Sequence, residues 1–483
     1  MVAKKDFRRI GRYIFEIPAD YRPDMRVPAR IYADDELLEA ALSDRSVEQL
    51  INTAALPGVV RYTLALPDIH QGYGPPIGGV IATKHPQGVI SPGAVGYDIN
   101  CGVRLLVSNL EAAAVAPHME SLIGALFRDV PSGLGERGPI RLSHNQVDQV
   151  LKKGAAWAVA QGYGSQDDLI RCEEQGGMPG ADPEALSSRA KDRGASQLGT
   201  LGSGNHFLEI QEVTEIYDQE VAQAFGLFQG QLAVQIHSGS RGLGHQVCTD
   251  YVKSLQAAVQ KYGIQLPDRE LVCAPLDTPE GRAYFGAMAG AANYAWANRQ
   301  CLAHLVRQTF DRELAGKFKD RELRMVYDVA HNIAKLEEHE VDGKRMHLCV
   351  HRKGATRAFP PGHPSVPEPY RAVGQPVLVP GDMGTASYVL VGTERALEET
   401  FGTSCHGAGR VLSRAAAKKR IRGEKLREDL RAQGIYVRAG SMPGLAEEAP
   451  DAYKDIERVV NVVHELGIAR KVARLRPLAV MKG

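Results

Sequence analysis

The chain lacks any closely spaced pair of cysteines. Its 483 residues include seven cysteines, an odd number, and no CxxC motif occurs among them. The cysteines are widely scattered, at Cys101, Cys172, Cys248, Cys273, Cys301, Cys349 and Cys405. This usage argues against a disulfide framework and suits a reducing compartment. We therefore expect a cytoplasmic protein.

Long apolar runs are also missing. No uncharged stretch of about 18 apolar residues occurs, so we expect no membrane span. The opening stretch "MVAKKDFRRIGRYIFEIP" has no apolar run that would suit a signal peptide. Neither internal repeats nor a low-complexity linker divides the sequence, and we therefore predict a single domain over residues 1–483.

The chain has almost no net charge, at +1, so a nucleic-acid partner would need a local basic surface. Residues 410–431 carry nine Lys or Arg against three Asp or Glu. Such a basic helix is usually a solvated face, but it is also a candidate for contacts to phosphates. The stretch "HRKGATRAFPPGHP" adds Arg352, Lys353 and Arg357, and we predict that it forms a loop able to hold a nucleic-acid end.

Glycine is abundant, at 50 residues, and punctuates a mixture of strand and helix patterns. Short strands are predicted within residues 57–108, in "FLEIQEVTE" and in "LAVQIHSGS". Helices are predicted over most of 109–200 and over 282–314, 406–431 and 451–473. We therefore expect a mixed α/β (α+β) fold, a single large domain with a β-rich core that carries the metal site and with peripheral helices.

Candidate metal ligands lie beside glycines. Asp98 and Cys101 share the turn "GAVGYDINCGVR". Five histidines lie at the ends of apparent strands, namely His70, His206, His237, His331 and His406, and a glycine stands within two residues of each of them except His331. A single histidine in such a position is more often a hydrogen-bonded structural residue than a metal ligand, but here several histidines occur at strand ends. Carboxylate, thiolate and imidazole together suit Zn, Mn, Fe or Co, and a thiolate can bridge two cations.

Three further turns have backbones suited to phosphate or a base. "LGTLGSGNHF" and "IHSGSRGLGH" present Gly and Ser amides, although neither matches a known nucleotide fingerprint. Ordinary connecting turns explain each of them equally well. "VPGDMGTASYVLVG" could hold a purine through Ser387 and its backbone.

These stretches together resemble the RtcB family of RNA-splicing ligases. "DIHQGYGPPIGGV", "GYDINCGVR", "LGTLGSGNHFLEIQ", "IHSGSRGLGH", "DVAHNIAKLEEH", "HRKGATRAFPPGHP", "PGDMGTASYVL" and "SCHGAGR" follow the order of the family, and the likeness continues to Lys482. The resemblance implies an enzyme that joins an RNA 3′-phosphate or 2′,3′-cyclic phosphate to a 5′-hydroxyl in tRNA splicing or RNA repair. It implies GTP, two Mn²⁺ ions and a guanylylated histidine.

The resemblance also assigns roles to residues. His406 would be the catalytic nucleophile, and Asp68 and Glu209 would support it or other site groups. The metal ligands would be Asp98, Cys101, His206, His237 and His331, with Cys101 as the bridge. The nucleotide site would comprise Asn205, His331, Pro380, Asp382, Met383, Ser387, His406, Gly407, Ala408, Gly409, Tyr453 and Lys482. RNA phosphates would be held by Arg241, Lys353, Arg410 and Arg414.

One position departs from the family pattern, because "PGDMG" stands where "PGSMG" is expected. Asp382 could accept hydrogen bonds from guanine, which leaves the base contact open. Two alternatives remain, a metal-dependent phosphoesterase without a covalent nucleotide and a non-catalytic RNA-binding protein. We expect RNA as the partner, an archease-type activator as a candidate partner, and a monomer.

Overall fold

A computed structural model of the protein describes residues 2–483, and it is a mixed α/β fold as predicted. The strands are β1 Arg8–Gly11, β2 Ile14–Ile17, β3 Ala29–Tyr32, β4 Thr63–His70, β5 Ile77–Lys84, β6 Val89–Ile90, β7 Gly102–Glu111, β8 Phe207–Ile216, β9 Gln231–Ser238, β10 Ala274–Pro275, β11 Arg324–Ala330, β12 Asn332–Val341, β13 Lys344–Lys353, β14 Ala355–Arg357, β15 Pro376–Val379, β16 Ser387–Gly392, β17 Thr403–Cys405, β18 Tyr436–Ala439 and β19 Ala469–Lys482.

Helices surround these strands. They are α1 Asp35–Leu42, α2 Ser46–Thr53, α3 Pro92–Val95, α4 Ala112–Val115, α5 Met119–Asp129, α6 His144–Lys153, α7 Ala155–Ala160, α8 Gln166–Ile170, α9 Ser188–Gln197, α10 Gln219–Phe225, α11 Arg241–Lys261, α12 Pro279–Leu314, α13 Glu394–Thr400, α14 Arg414–Arg420, α15 Gly423–Ala432, α16 Met442–Glu447 and α17 Ile456–Glu465. Over residues 2–483, no helix combines the length and the apolar character that crossing a bilayer requires.

Two large sheets form the framework. One has the strand order β1-β2-β3-β4-β5-β13-β12, and the other has the order β11-β7-β9-β8-β19-β16-β15 with β18 beside β19. In the second sheet, β7, β8, β9 and β11 are neighbours although they come from distant parts of the sequence. This sheet therefore brings distant segments to a common edge.

The long helix α12 packs tightly against the body because its residues are small. Its buried face is rich in alanine and glycine, which lets the helix axis approach its neighbours closely. The helix also buries Asn293, Asn298 and Arg299. These polar side chains make hydrogen bonds to the loop at Met178 and to Ser238 at the end of β9, so α12 supports the sheet edge as well as filling the core.

The structure corrects three sequence predictions. Residues 351–357, predicted as a loop, belong largely to strands β13 and β14. The helix predicted over 406–431 begins only at Arg414, since Gly407 and Gly409 belong to an irregular turn. The helix predicted over 451–473 ends at Glu465, and β19 follows, in which buried apolar residues and outward arginines produce much of a strand-like pattern.

Candidate active site

The five predicted metal ligands meet at one edge of the second sheet. Cys101 directly precedes β7, His206 precedes β8, His237 lies near the end of β9, and His331 separates β11 from β12. The ladders pair these ends with one another, with Gly102 opposite both Ser238 and Ala330, and Phe207 opposite His237. The antiparallel sheet therefore explains why residues so far apart in sequence are close in space.

Cys101 stands at the centre of the cluster. Its Sγ lies 3.3 Å from His206 Nε2 and 3.2 Å from His237 Nε2. His237 Nε2 is in turn 3.2 Å from His331 Nε2, and His206 Nε2 is 2.9 Å from Asp98 Oδ2. Two groups of three donors result, one with Asp98 and His206 and one with His237 and His331, and they share Cys101.

Electrostatics favour a cation at this cluster. Burial lowers the pKa values of His206, His237 and His331, so the imidazoles are neutral and keep a lone pair for a ligand. Burial, reinforced by Asp98, raises the pKa of the Cys101 thiol well above its ordinary value. A bound cation reverses this effect because it stabilises the thiolate.

The donor set therefore fits one or two divalent transition metal ions. Two neutral imidazole nitrogens 3.2 Å apart have facing lone pairs unless a proton or cation lies between them. Asp98 supplies a hard oxygen, and burial would raise its pKa, but contact with His206 lowers it, so it is ionised. Mixed thiolate, imidazole and carboxylate ligation is compatible with manganese and with zinc.

The carboxylate of Asp98 is held by a glycine-dependent turn. Its Oδ1 accepts a hydrogen bond from the Ser240 backbone N–H at 3.1 Å. A side chain at Gly239 would place Cβ only 2.3 Å from Asp98 Oδ2, so any other residue would displace the carboxylate. The Gly/Ser-rich turn that we considered for phosphate therefore has a role in positioning Asp98.

A buried ion-pair network supports the ligand segments from behind. The Arg299 guanidinium donates to the carbonyl oxygens of Asn100 at 2.8 Å and Ser238 at 3.0 Å, which adjoin Cys101 and His237. It also pairs with Asp328 at 2.7 Å, on the strand that leads to His331. Sequence reasoning missed Arg299, which lies in a small-residue helix far from the motifs, and Asp328.

His406 is held by a carboxylate. Its Nδ1 is 2.5 Å from Asp68 Oδ2, and the same oxygen accepts the backbone N–H of His406 at 2.9 Å and of Gly407 at 3.3 Å. Burial would raise the pKa of Asp68, but these contacts lower it, so the carboxylate is ionised. An ionised Asp68 accepts the Nδ1 proton and leaves Nε2 as the ring nitrogen with a lone pair.

Lys454 lies directly behind Asp68 and was also missed from the sequence. Its Nζ donates to the carbonyl oxygens of Pro67, at 3.1 Å, and of Ile69, on either side of Asp68. Burial lowers the pKa of Lys454 to about 8. The ammonium fixes the backbone of β4 at Asp68 and adds positive charge beneath the carboxylate.

A cavity of about 1600 Å³ opens over the metal cluster and His406. Most predicted nucleotide contacts line it, namely Asn205, His331, Pro380, Asp382, Met383, His406, Gly407, Ala408, Gly409, Tyr453 and Lys482, together with Glu209. Ser387 does not line it. The Ser387 hydroxyl lies behind the wall, 3.2 Å from Gln211 Nε2 and 3.3 Å from Gln235 Oε1.

The end of the cavity near Lys482 carries several buried ionisable groups. Burial lowers the pKa of Lys482 and raises that of Glu209 to about 7. Tyr453 donates to Glu448, a carboxylate that Arg410 also contacts at 3.2 Å. This end therefore offers both donors and acceptors to a polar base.

Asp382, the position that departs from the family pattern, has both carboxylate oxygens engaged in its own turn. Oδ1 accepts the Gly384 N–H at 2.8 Å, and Oδ2 accepts the Thr385 hydroxyl at 2.7 Å. Serine can close a similar turn with its hydroxyl. The aspartate therefore has a local structural role in addition to any contact with a base.

The four predicted RNA-phosphate residues all line the cavity, but they differ in availability. Arg241 NH1 contacts His206 Nδ1 at 2.9 Å, and Lys353 Nζ donates to the Pro75 carbonyl at 2.8 Å. Burial lowers the pKa of Lys353 to about 7. Arg410 is half-buried beside Glu448, whereas Arg414 is exposed at the rim.

Two further basic residues that we expected on a nucleic-acid loop are buried instead. Arg352 pairs with Glu337 at 2.7 Å, and Arg357 pairs with Glu174 at 2.5 Å. Both lie on strands and are almost inaccessible to solvent. These arginines compensate buried carboxylates and cannot reach RNA in this conformation.

Comparisons with known proteins identify the family of the chain. A family model described as "tRNA-splicing ligase RtcB" matches residues 49–483. A tRNA-splicing ligase RtcB of Thermococcus kodakarensis is 58% identical over 476 residues, which are 99% of this chain and 98% of that protein. Proteins of the same name from Archaeoglobus fulgidus and Methanococcus maripaludis are 57% and 51% identical, with 99% of this chain covered in each case and 98% and 100% of those proteins.

Proposed function

Because the chain belongs to the RtcB family of tRNA-splicing ligases and is an RNA ligase, we propose that it joins RNA 3′-phosphate or 2′,3′-cyclic phosphate ends to 5′-hydroxyl ends, with GTP as co-substrate and Mn²⁺ as cofactor. One observation carries this proposal. His406 is anchored through Nδ1 to an ionised carboxylate, at the edge of a cavity that also contains five metal-ligand candidates.

His406 would act first, as the nucleophile. With its Nδ1 proton held by Asp68, the Nε2 lone pair attacks the α-phosphorus of GTP. A phosphorus–nitrogen bond forms, the bond to the β-phosphate oxygen breaks, and pyrophosphate leaves. The product is His406 with GMP attached, and the charge on the ring is balanced by Asp68.

The following steps would transfer GMP and seal the RNA. An oxygen of the RNA 3′-phosphate attacks the phosphorus of the His406 adduct, and the ring regains its Nε2 lone pair. The 5′-hydroxyl then attacks the activated 3′-phosphate and gives up its proton to water, while GMP is expelled and the phosphodiester forms. A cyclic phosphate must first be opened to a 3′-phosphate by water.

The metal ligands would hold Mn²⁺ on both sides of Cys101. Asp98 and His206 lie on one side, and His237 and His331 lie on the other. When bound, Mn²⁺ neutralises phosphate charge and stabilises the developing charge on the phosphoryl group under attack. The buried imidazoles and the turn at Gly239 fix the ligand positions before any substrate arrives.

A metal-dependent phosphoesterase would use the same metal ligands but would have no need for the Asp68–His406 pair. The discriminating experiment is incubation of the protein with α-labelled GTP and Mn²⁺ in the absence of RNA. We expect an acid-labile, alkali-stable adduct that His406→Ala abolishes. Phosphoester hydrolysis by wild-type protein with no adduct would refute the ligase mechanism.

Dependence on GTP and on Mn²⁺ is tested by ligation itself. An RNA with a 3′-phosphate and an RNA with a 5′-hydroxyl should be joined only when GTP and Mn²⁺ are both present. Omitting either one should reduce product to background. Ligation that persists without GTP would contradict the histidine–GMP route.

A further inference from the structure

One wall of the cavity is aromatic and has no part in the steps above. Tyr73 and Tyr97 line this wall with ring centroids 5.4 Å apart and planes at 75°, and His245 follows with its ring 6.2 Å from Tyr97. Both tyrosines are half-buried and His245 is exposed. In an edge-to-face pair the two rings cover only one of their four faces, so aromatic surface remains for a ligand.

The wall lies close to the reacting groups. Tyr97 immediately precedes the metal-ligand candidate Asp98. On the other side, Tyr73 is three residues from His70, whose ring stacks toward His406 at 6.5 Å between centroids. A group held on this wall would therefore share one cavity with the metal cluster and the nucleophile.

The loop that carries Tyr73 is pinned from three directions. Gln49 exchanges two hydrogen bonds with the Gly72 backbone, at 2.7 and 3.0 Å, and Glu270 accepts the Gly74 N–H at 2.7 Å. Lys353 Nζ donates to the Tyr73 and Pro75 carbonyls at 2.5 and 2.8 Å. A loop that is already ordered costs little entropy when it binds a ligand.

The charges near Tyr73 favour a base over a phosphate at this end of the wall. The Lys353 ammonium is occupied by backbone carbonyls, and the Asp44 carboxylate lies on the same side of the cavity, where it accepts the Gln71 N–H at 3.0 Å. Arg193 is exposed, lines the cavity and lies beside Gly242 and Gln246, at the His245 end of the wall, where it can hold a phosphate. Unpaired bases bind proteins by stacking on aromatic rings while basic side chains follow the backbone.

We propose that Tyr73 and Tyr97, flanked by His245, form a stacking platform for the nucleobase of a single-stranded RNA end. The inference rests on the proposed function, since it assumes that an RNA end enters this cavity. Stacking accepts any base, so the platform would hold ends of different sequence in one position. It would act on RNA binding and leave the reaction of His406 with GTP independent of the base.

The test compares RNA that has or lacks a terminal base. Dissociation constants are measured with single-stranded oligonucleotides, unmodified or abasic at the terminal nucleotide, in two arms, a 3′-phosphate end and a 5′-hydroxyl end. For wild-type protein we expect the abasic RNA of one arm to bind about 5- to 150-fold more weakly. With Tyr73→Leu, the unmodified RNA should bind as weakly as the abasic RNA, and removal of the base should have no further effect.

Two variants control the result. Tyr73→Phe keeps the ring and should retain the dependence on the base, and Tyr21→Leu changes an exposed tyrosine outside the cavity and should behave as wild type. If the abasic penalty is equal in wild type and Tyr73→Leu, or absent from both arms, the platform is refuted. The adduct assay with GTP in the absence of RNA tests the proposed function independently, because it would give no His406 adduct if that function were wrong, whatever the RNA-binding result.

Discussion

At the scale of single residues, Asp68 has the most direct influence on the proposed nucleophile. Its Oδ2 accepts from the His406 ring and from two backbone amides, whereas its Oδ1 is buried without a hydrogen-bond partner among residues 2–483. Asp68 therefore holds both the His406 ring, through Nδ1, and the backbone turn at His406 and Gly407. Lys454, which anchors the peptides on either side, limits movement of that carboxylate.

Replacement of Asp68 by asparagine should slow formation of the His406 adduct by about 10²–10⁴-fold, the range for a positioned proton acceptor. The amide removes the negative charge that balances the ring during attack. The rate is measured with labelled GTP and Mn²⁺, and Asp167→Asn, at an exposed ion pair, is the matched control. Adduct formation at the wild-type rate would show that Asp68 does not orient His406.

His351 gives a pH-dependent stability that is separate from the active-site chemistry. It is buried in a neutral form, because its Nδ1 donates to the Ile81 carbonyl at 3.1 Å and its Nε2 accepts the Ser91 N–H at 3.3 Å. Burial lowers its pKa to about 4 from an ordinary 6.5. Between these values the unfolded chain binds more protons, so stability rises with pH and is lost as pH falls.

We therefore expect urea unfolding to show a loss of up to about 3 kcal/mol from His351 between pH 6.5 and pH 4. In His351→Gln, which cannot titrate, the free energy of unfolding should depend less steeply on pH across this window. Equal slopes for the two proteins would mean that His351 is not buried in a neutral form.

At the scale of elements, helix α12 links the metal-ligand segments through one side chain. Arg299 is fully buried and contacts the turn before Cys101, the end of β9 and strand β11. Each of these segments carries or directly adjoins a ligand candidate. The position of α12 and the geometry of the cluster are thus coupled.

Arg299→Lys should weaken this coupling because a lysine keeps the charge but loses the planar fork of donors. We expect the metal-free protein to lose about 1–3 kcal/mol of unfolding free energy, because buried acceptors would be left without a hydrogen bond. Mn²⁺ affinity, measured by titration with EPR detection, should fall as well. The control is Arg312→Lys on the same helix, at a half-exposed ion pair, which should change the unfolding free energy and the Mn²⁺ affinity little. If the two variants behave alike, Arg299 does not have the proposed role.

Much of the element pattern was visible in the sequence, but the order of strands was not. Alternating and apolar runs predicted β8 and β9, and small residues predicted the long helix. Segment 469–482 was missed because basic residues and a proline interrupt its alternation, and residues 351–357 because glycine and arginine suggested a loop. Both segments form strands because they hydrogen-bond to segments that are distant in the sequence, and the local residue pattern does not indicate such pairing.

The same limit applies to the candidate site. Glycine-flanked histidines suggested ligands, yet no short spacing placed His206, His237 and His331 together, and the family resemblance supplied that set. The ladder of β11, β7, β9 and β8 brings them within contact. Supporting residues such as Arg299 and Lys454 could not be found because their partners are backbone carbonyls of remote segments.

At the scale of the whole molecule, strand β19 ties the second sheet together. It lies between β8 and β16, pairs in parallel with β18, and carries Lys482 into the cavity. The sheet would be divided into two parts without it. The nucleotide end of the cavity and the core are therefore completed by the same segment.

Deletion of residues 476–483 should prevent folding as well as remove Lys482, because it removes most of the pairing of β19 with β8 and all of its pairing with β18. We expect little soluble protein and no cooperative thermal transition. The control is deletion of residues 2–6, whose short helical turn has no buried residue. This deletion should leave the thermal transition within a few degrees of wild type. A truncated protein that lacks 476–483 but melts like the full chain would show that the second half of β19, which pairs with β8 and β18, is not needed for folding.

The position of β19 also has a consequence for biosynthesis. A ribosome makes every other strand of this sheet before residues 469–482 emerge, and β19 pairs with β8 across more than half of the sequence. Pairing over such separations is slow and leaves strand edges open in the meantime. A nascent chain thus cannot assemble the pocket that includes Lys482 until translation has passed it, so only chains translated through that residue would acquire the complete pocket.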